Sequence, residues 1–232
     1  SLSVTWLENG TVRVEYRDAN GTGIPEATVS ISWPGSSSYQ DLNNGTYIVE
    51  IETASLTAAG TYTLMISVHA PNYAVSSVTI QVTVNERDTT ITAQPSSLSV
   101  TWLENATVKV NYLGNETGTG IVNATVTVDW PGSSSYQDLN NGTYIVEIST
   151  KGINAGIYVL TINFDTPTYT LNSTSIQVVV EERNTTLEAP STLTVTWSEN
   201  GTITVVYRDA NGTGIPEATV TVTWSDLWTS YD

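Results

Sequence analysis

The sequence predicts an all-β protein built from tandem β-sandwich units, and three observations lead to that prediction. Apolar residues alternate with Ser and Thr along short segments, as they do in strands with one buried face. Asn-Gly pairs and other turn-forming residues separate these segments. The whole pattern recurs about every 96 residues, and "WPGSSSYQDLNNGTYIVEI" stands unaltered at both 33–51 and 130–148.

The strand segments come in the same order in each unit. In the first unit they are LSVTW at 2–6, VRVEY at 12–16, VSISW at 29–33, YIVEI at 47–51, YTLMISV at 62–68 and VTIQVTV at 78–84. Turns are expected at Asn9-Gly10, Asn20-Gly21 and Asn44-Gly45, because Asn and Gly adopt positive φ at low cost. No segment has helical spacing over more than one turn. About seven short strands in fewer than 100 residues favour an immunoglobulin-like β-sandwich.

Two further features support this fold. "AGTY" at 59–62 and "AGIY" at 155–158 place a Tyr at the start of a late strand, where a tyrosine corner would lie. A Trp ends the third strand of each unit, so we expect cores around Trp6 and Trp33 in one unit and Trp102 and Trp130 in the next. The chain has no Cys, so these cores must hold without a disulfide.

The repeat divides the chain into three ranges. Residues 1–86 form a first immunoglobulin-like repeat without its first strand, 87–182 form a second, and 183–232 form the front part of a third. The front part is too short to bury two sheets. We therefore expect either a longer native chain or strands supplied by another subunit. The linkers "NERD" at 85–88 and "EERN" at 181–184 are short and charged, which favours stiff end-to-end stacking.

Composition restricts the partners. The formal net charge of −16 and a pI near 4.1 disfavour nucleic acid and anionic membrane surfaces. Only 13% of the residues are charged, so Ser, Thr, Asn and Gly must cover much of the surface. No apolar run approaches the roughly 18 residues of a membrane span. The chain opens at Ser1, which suggests a processed product or a piece of a longer one.

The motif order resembles a family. "D-x-N-G-T-G-I-P-x-A-T-V", a Trp-containing strand, "L-N-N-G-T-Y" and "A-G-T-Y-T-L-M-I-S-V-H-A-P-N-Y" are similar to the tandem Ig-like repeats of large archaeal cell-surface proteins. They also resemble bacterial Ig-like repeats of the invasin and intimin type. The resemblance covers essentially the whole chain and implies an extracellular, non-catalytic array. Such repeats serve in stalks, coats and fibres alike, so it specifies architecture better than function.

N-glycosylation sequons are the densest chemical motif in the chain. Eleven asparagines precede X-Ser/Thr: Asn9, Asn20, Asn44, Asn105, Asn115, Asn123, Asn141, Asn172, Asn184, Asn200 and Asn211. Six of them lie in Asn-Gly pairs, where a turn entering a Thr-rich strand makes a sequon by chance. The other five have no such explanation. Asn123, Asn172 and Asn184 replace Glu26, Ser76 and Asp88, the equivalent residues one repeat earlier, and each replacement creates a sequon. We expect covalent N-linked glycans on many of these sites.

Other sites have weaker support. Asp18 and Asn20 have the spacing of Ca²⁺ ligands, and Glu8 and Glu86 could join them. An EF-hand would need a longer loop that ends in a bidentate Glu, and this segment has none, so we interpret these side chains as solvated loop carboxylates. His69 is the only histidine, which excludes a His-based metal site or a repeated Ser-His-Asp arrangement. The chain is therefore interpreted as non-enzymatic, without cofactor or metal. Trp228 has no aromatic counterpart in the other repeats, where Ser37 and Ser134 stand, and Leu227 and Trp228 are candidates for a subunit contact or are a variant of the loop.

These observations predict a structural protein of the cell surface, a glycosylated array that forms an extracellular fibre or surface coat. It would associate with copies of itself or continue in a longer chain. The alternatives are the stalk of an adhesin that presents a separate binding module, with other cells or glycans as partners, or repeats that themselves bind carbohydrate.

Overall fold

The computed structural model describes residues 1–224, and every regular element there is a β-strand. The first repeat contains β1 (Leu2–Thr5), β2 (Asn9–Glu15), β3 (Thr28–Ser32), β4 (Ser37–Asp41), β5 (Thr46–Glu52), β6 (Gly60–His69) and β7 (Ser76–Asn85). The second contains β8 (Thr89–Gln94), β9 (Ser97–Thr101), β10 (Asn105–Gly114), β11 (Thr125–Asp129), β12 (Ser134–Asp138), β13 (Thr143–Ser149), β14 (Gly156–Thr166) and β15 (Tyr169–Glu181). β16 (Thr185–Glu188) and β17 (Val206–Asp209) follow.

Each of the two repeats is a pair of sheets. Repeat 1 has the orders β1-β7-β6-β3 and β2-β5-β4, and repeat 2 has β9-β15-β14-β11 and β8-β10-β13-β12. The β1–β7 and β9–β15 pairs are parallel, and the other pairs within these sheets are antiparallel. The expected fold class is confirmed: the protein is a tandem array of immunoglobulin-like β-sandwiches. None of the described residues forms a helix long and apolar enough to cross a membrane.

The cores follow the alternation read from the sequence. In repeat 1, β5 buries Tyr47, Val49 and Ile51 against Leu64 and Ile66 of β6. In repeat 2 the equivalent residues of β13 and β14 are buried, and Phe164 joins them, with its ring centroid 4.9 Å from that of Tyr112 and 5.0 Å from that of Tyr144. The two buried clusters lie within 4–84 and 100–180, so neither depends on residues beyond the second repeat. The domain boundaries 1–86, 87–182 and 183–232 stay a prediction.

Two local expectations were wrong. The pattern "SSYQD" has no apolar alternation, so β4 and β12 were not predicted; they are edge strands with mostly exposed side chains. Asn9-Gly10 is not a turn but the start of β2, and the positive φ of 72° lies at Leu7. A Cβ at Gly10 would lie close to the side chains of Leu2, Val4 and Ile51, and repeat 2 carries Ala106 at the equivalent place.

The expected role of the tryptophans needs correction, while the tyrosine corners are confirmed. Trp130 is buried, but Trp6 and Trp33 are only partly buried and Trp102 is exposed, because the centre of each core is filled by tyrosines and β-branched residues.

The two corner tyrosines donate from their hydroxyl groups to backbone carbonyls four residues upstream, Tyr62 to Ala58 at 2.6 Å and Tyr158 to Asn154 at 2.9 Å. These bonds fix the start of β6 and β14.

Residues 185–224 form much less structure than the two repeats. β16 pairs with β17 alone, and Trp197, at the place of Trp6 and Trp102, is 88% exposed. Without the second half of a sandwich, the apolar faces of these strands have no partner sheet within the described residues.

Candidate functional site

The sequon asparagines lie on the surface of the fold. Ten of the eleven are exposed, and Asn172 is partly buried. They occupy the ends and loops of the sandwiches more than their sheets. Asn9 and Asn105 begin β2 and β10, Asn44 and Asn141 lie in the turns before β5 and β13, and Asn184 lies in the second linker. The structure thus allows access to these side chains, while the sugars themselves stay a prediction.

The hairpin sequons have a defined local geometry. The Asn44 Oδ1 accepts the backbone N–H of Thr46 at 3.0 Å, and the Asn141 Oδ1 accepts that of Thr143 at 2.9 Å. These Asx turns hold the side-chain carbonyl toward the backbone of the sequon Thr. The amide nitrogen, to which an N-linked sugar is attached, is not used in this turn. In both sequons, therefore, the turn leaves the side-chain Nδ2, the atom that would carry a sugar, available.

Three other sequons use their side chains in protein contacts. Asn172 Nδ2 lies 3.0 Å from the carbonyl oxygen and 2.9 Å from Oγ1 of Thr89. Asn105 Nδ2 donates to Glu147 Oε1 at 3.0 Å, and Asn115 Oδ1 accepts from the Thr90 hydroxyl at 2.8 Å. A glycosylated amide keeps one N–H, so one such hydrogen bond can persist. Asn172, partly buried and with two acceptors beside its nitrogen, is the least accessible of the eleven.

An aromatic pair joins the two repeats. Trp6, directly after β1, and Tyr169, the first residue of β15, meet edge to face with ring centroids 5.5 Å apart. The Trp6 indole Nε1–H also donates to the Leu56 carbonyl at 3.1 Å, which ties the ring to repeat 1. Such pairs contribute about 0.5–1.5 kcal/mol beyond burial. Tyr169 of repeat 2 thus covers the Trp6 ring at the end of the first sandwich.

Arg87 fixes the linker between the repeats. Its N–H donates to the Thr168 carbonyl at 3.1 Å, and its carbonyl accepts the N–H of Thr170 at 2.9 Å. Its side chain is only 11% exposed and forms an ion pair with Glu116 in the loop between β10 and β11. Backbone and side chain both attach the linker to repeat 2, which supports the expectation of a stiff junction.

The second linker repeats part of this arrangement. Arg183, the equivalent of Arg87, lies 3.8 Å from Asp209 across the Nη2–Oδ2 pair. A cavity of about 520 Å³ lies among Trp102, Arg183, Ile215 and Pro216. No hairpin equivalent to β14–β15 packs on Trp102 within residues 1–224. The junction after repeat 2 is therefore less closely packed than the junction between repeats 1 and 2.

Sequence reasoning did not identify Arg87 or Tyr169 as junction residues. Two repeated signals could have found them. Each linker carries a Glu-Arg pair, at 86–87 and 182–183, and each late hairpin carries Pro-X-Tyr, at 71–73 and 167–169. Both motifs lie at the ends of the units and outside the alternating strand pattern, which is where contacts between units form.

The acidic loop residues are used by the fold. Asp18 Oδ1 accepts the N–H groups of Asn20 at 2.9 Å and Thr22 at 2.8 Å, and so closes its own loop. Glu8 accepts the Thr5 N–H at 3.3 Å. Residues 1–224 contain no group of three or more His, Asp or Glu side chains that could hold a metal ion. His69 is exposed at the end of β6, opposite Thr28, as expected for an ordinary strand-end residue. Leu227 and Trp228 lie outside the described residues.

Comparisons with known proteins report similarity of fold at low identity. No family model matches the chain, and no curated protein matches it. Invasin, titled a bacterial integrin-binding protein, is 18% identical with a TM-score of 0.43, over 91% of this chain and 45% of that one. Domains A168–A170 of titin are 13% identical with a TM-score of 0.44, over 92% of this chain and 73% of that one. An endo-fucoidan hydrolase variant (MfFcnA4_H294Q) of glycoside hydrolase family 107 is 15% identical with a TM-score of 0.33, over 78% of this chain and 27% of that one.

This chain therefore spans less than half the length of the invasin and hydrolase structures. At these identities the likeness concerns the β-sandwich fold, and neither integrin binding nor hydrolysis transfers from it.

Proposed function

We propose that this chain is a non-enzymatic structural part of a cell surface, an N-glycosylated tandem array that forms an extracellular fibre or coat. The observation that carries the proposal is the exposure of seven sequon asparagines on a pair of sandwiches whose linker is bound to the second repeat. An archaeal source accords with the motif resemblance and stays a prediction.

The mechanical part of the proposal rests on the first junction. A flexible linker would let two units bend freely, whereas Arg87 is bound through its backbone and its guanidinium, and Trp6 packs on Tyr169. The second linker keeps the Arg and an acidic partner, Asp209. Repetition of the same contact along an array would give a rod whose stiffness comes from each unit seating on the next.

The chemical part rests on surface composition. Charged residues make up only 13% of the chain, and exposed strand positions are largely Ser and Thr. Sugars on loop and strand-end asparagines would add a hydrated layer and cover sheet edges, which otherwise attract other strands. The partners would be copies of the same chain or further units of a longer one, at the outside of the cell.

Glycopeptide mapping by mass spectrometry of the native material tests the chemical part. We expect glycan mass additions on peptides that contain the exposed sequons, with lowest occupancy at Asn172. A matched control is the variant N123E/N184D, which introduces the residues found at the equivalent places one repeat earlier, Glu26 and Asp88. Glu26 and Asn123 share a φ of 57°, so the fold should tolerate the exchange. Native protein without any sugar would contradict the proposal.

Cryo-electron microscopy of the same material separates fibre or coat from stalk. An ordered polymer of these units supports the fibre or coat. Isolated rods that end in a different domain would make the chain an adhesin stalk.

Carbohydrate binding by the repeats is a second candidate because of one recurring exposed aromatic. Tyr39 on β4 and Tyr136 on β12 are 44% and 46% exposed at the same place in both repeats, within the verbatim segment. Aromatic rings of this kind can stack on sugar faces. Calorimetric titration with oligosaccharides, comparing the protein with Y39A/Y136A, tests it. Equal heats for both proteins would remove this candidate.

A further inference from the structure

The two sheets of repeat 2 differ in the chemistry that they present to solvent. No sequon asparagine lies in β9, β11 or β14, and Asn172, near the start of β15, is the only one in that sheet. Asn105 begins β10 in the other sheet, Asn141 lies in the β12–β13 turn, and Asn115 and Asn123 lie in the loop before β11. If sugars occupy the sequons, the outward face of β9-β15-β14-β11 is the broad surface that they leave uncovered.

This uncovered face carries apolar side chains. Ile157 and Val159 on β14 point outward and are 69% and 62% exposed. Val179 on β15 lies directly opposite Ile157 in the antiparallel pair. Repeat 1 has Thr61, Thr63 and Thr83 at these three places. Cross-strand neighbours on one face form a continuous patch, and such patches mark interaction sites more often than scattered exposed residues do.

The same face has few charges in a strongly acidic molecule. Its carboxylates are Asp129, which lies opposite Thr161 on the neighbouring strand, Glu181, two residues beyond Val179, and Asp165 near the end of β14; the positions between them carry neutral side chains such as Ser175 and Gln177. Two copies of a chain with a net charge of −16 repel each other over most of their surfaces. A second copy can approach closely where carboxylates are absent.

The area of the face is adequate for a weak specific contact. The four strands have 5, 13, 11 and 5 residues, and at about 3.3 Å per residue and about 4.8 Å between strands they cover roughly 540 Å². Burial of one such face on each partner gives about 1,100 Å², a little above the roughly 1,000 Å² that a specific interface needs.

From these observations we propose that the outward face of β9-β15-β14-β11, centred on Ile157 and Val159, is a contact surface for the same face of a second copy. The contact is isologous, so the Ile157–Val179 pair of one copy packs against the apolar residues of the other. It would join neighbouring arrays side by side, while the junctions with Arg87 and Tyr169 act along each array. This contact rests on the proposed function, because sugars on the sequons are what would make this face the uncovered surface of repeat 2.

Sedimentation velocity of the full chain over a concentration series tests the contact. The variant I157T/V159T introduces the residues that repeat 1 carries at the same places, so its fold should be unchanged. We expect its self-association to be weaker than that of the wild type by at least about tenfold, because two apolar side chains leave the interface. The reciprocal variant T61I/T63V alters the same face of repeat 1 and should leave the repeat 2 contact intact. The exposed apolar residues of 185–224 are present in all three proteins, so any association that they cause is the same in each.

A sugar placed on the face gives an independent test. V159N completes an N-X-Thr sequon with Leu160 and Thr161 in the patch, and Q81N completes one with Val82 and Thr83 on the corresponding face of repeat 1. In a host that glycosylates the chain, V159N should abolish lateral association and Q81N should not.

Two results would overturn the proposal. One is equal association of I157T/V159T and wild type, and the other is equal association of the glycosylated V159N and Q81N variants. Native chain without sugars, together with weakened association of I157T/V159T, would remove the proposed glycan coat but keep the contact.

Discussion

Replacement of Tyr47 by Phe should destabilise repeat 1 far more than loss of one exposed hydroxyl would. Tyr47 is fully buried on β5, and its hydroxyl donates to the Ile24 carbonyl at 2.8 Å and accepts the Ala27 N–H at 3.0 Å. Both backbone groups belong to buried residues in the loop before β3. Phe fills the same space but leaves a donor and an acceptor unpaired. At about 1–2 kcal/mol for each buried group, the free energy of unfolding should fall by about 2–4 kcal/mol.

Differential scanning calorimetry measures this change. For a unit of this size, 1 kcal/mol corresponds to a shift of about 4–8 °C, so the Tm of repeat 1 should fall by at least about 8 °C. The control is Tyr39→Phe, since Tyr39 is on the same sheet but exposed, and its change should stay within about 0.5 kcal/mol. Tyr144→Phe should reproduce the effect in repeat 2, where the equivalent bonds are 3.0 and 3.2 Å. Equal shifts for Tyr47→Phe and Tyr39→Phe would refute the reasoning.

Three further predictions concern pH, the junction and a close backbone contact. Burial raises the pKa of Tyr47, Tyr112 and Tyr144, so the folded state keeps these protons where the unfolded chain, with a Tyr pKa near 10, loses them. Stability should therefore be full below about pH 10, and the Tm should fall as the pH rises above about 10, less steeply in Tyr47→Phe. Tyr169→Ala should loosen the two repeats without unfolding either, measured as a broader interdomain distance distribution in small-angle scattering, and Tyr73→Ala, whose ring pairs within repeat 1, should not. Gly23→Ala should cost about 1–3 kcal/mol in thermal unfolding because its Cβ would overlap the Asn44 carbonyl, whereas Gly214→Ala in the third segment meets nothing and should be neutral.

The strands that bury one face could be read from the sequence. In β5, Tyr47, Val49 and Ile51 alternate with polar or less buried positions, and a period of two leaves one choice of inward face. β4 could not be read because its pairing to β5 depends on backbone hydrogen bonds and not on apolar side chains. Edge strands of this kind leave no periodic signal.

The candidate sites divide in the same way. Sequons are local patterns, so all eleven were visible, and their exposure follows from their positions in turns and at strand starts. The partial burial of Asn172 was not visible, because its neighbour Thr89 is far away in the chain. The position of Trp6 was also misjudged. A Trp in an alternating strand predicts a core residue, yet the ring lies at the end of the sandwich, where Tyr169 of the next unit covers it.

The sequence by itself determined the repeat length, the all-β architecture, the inward faces of the central strands and the chemistry of the surface, because each follows from patterns within a few residues or from exact internal repetition. Only the tertiary structure decided which residues join one repeat to the next and which sheet of repeat 2 carries a single sequon asparagine, Asn172, and exposes apolar side chains on its outward face. Those properties depend on pairs such as Arg87 with Glu116 and Ile157 with Val179. Such pairs are separated by tens of residues along the chain and come together only when two sheets and two units have folded.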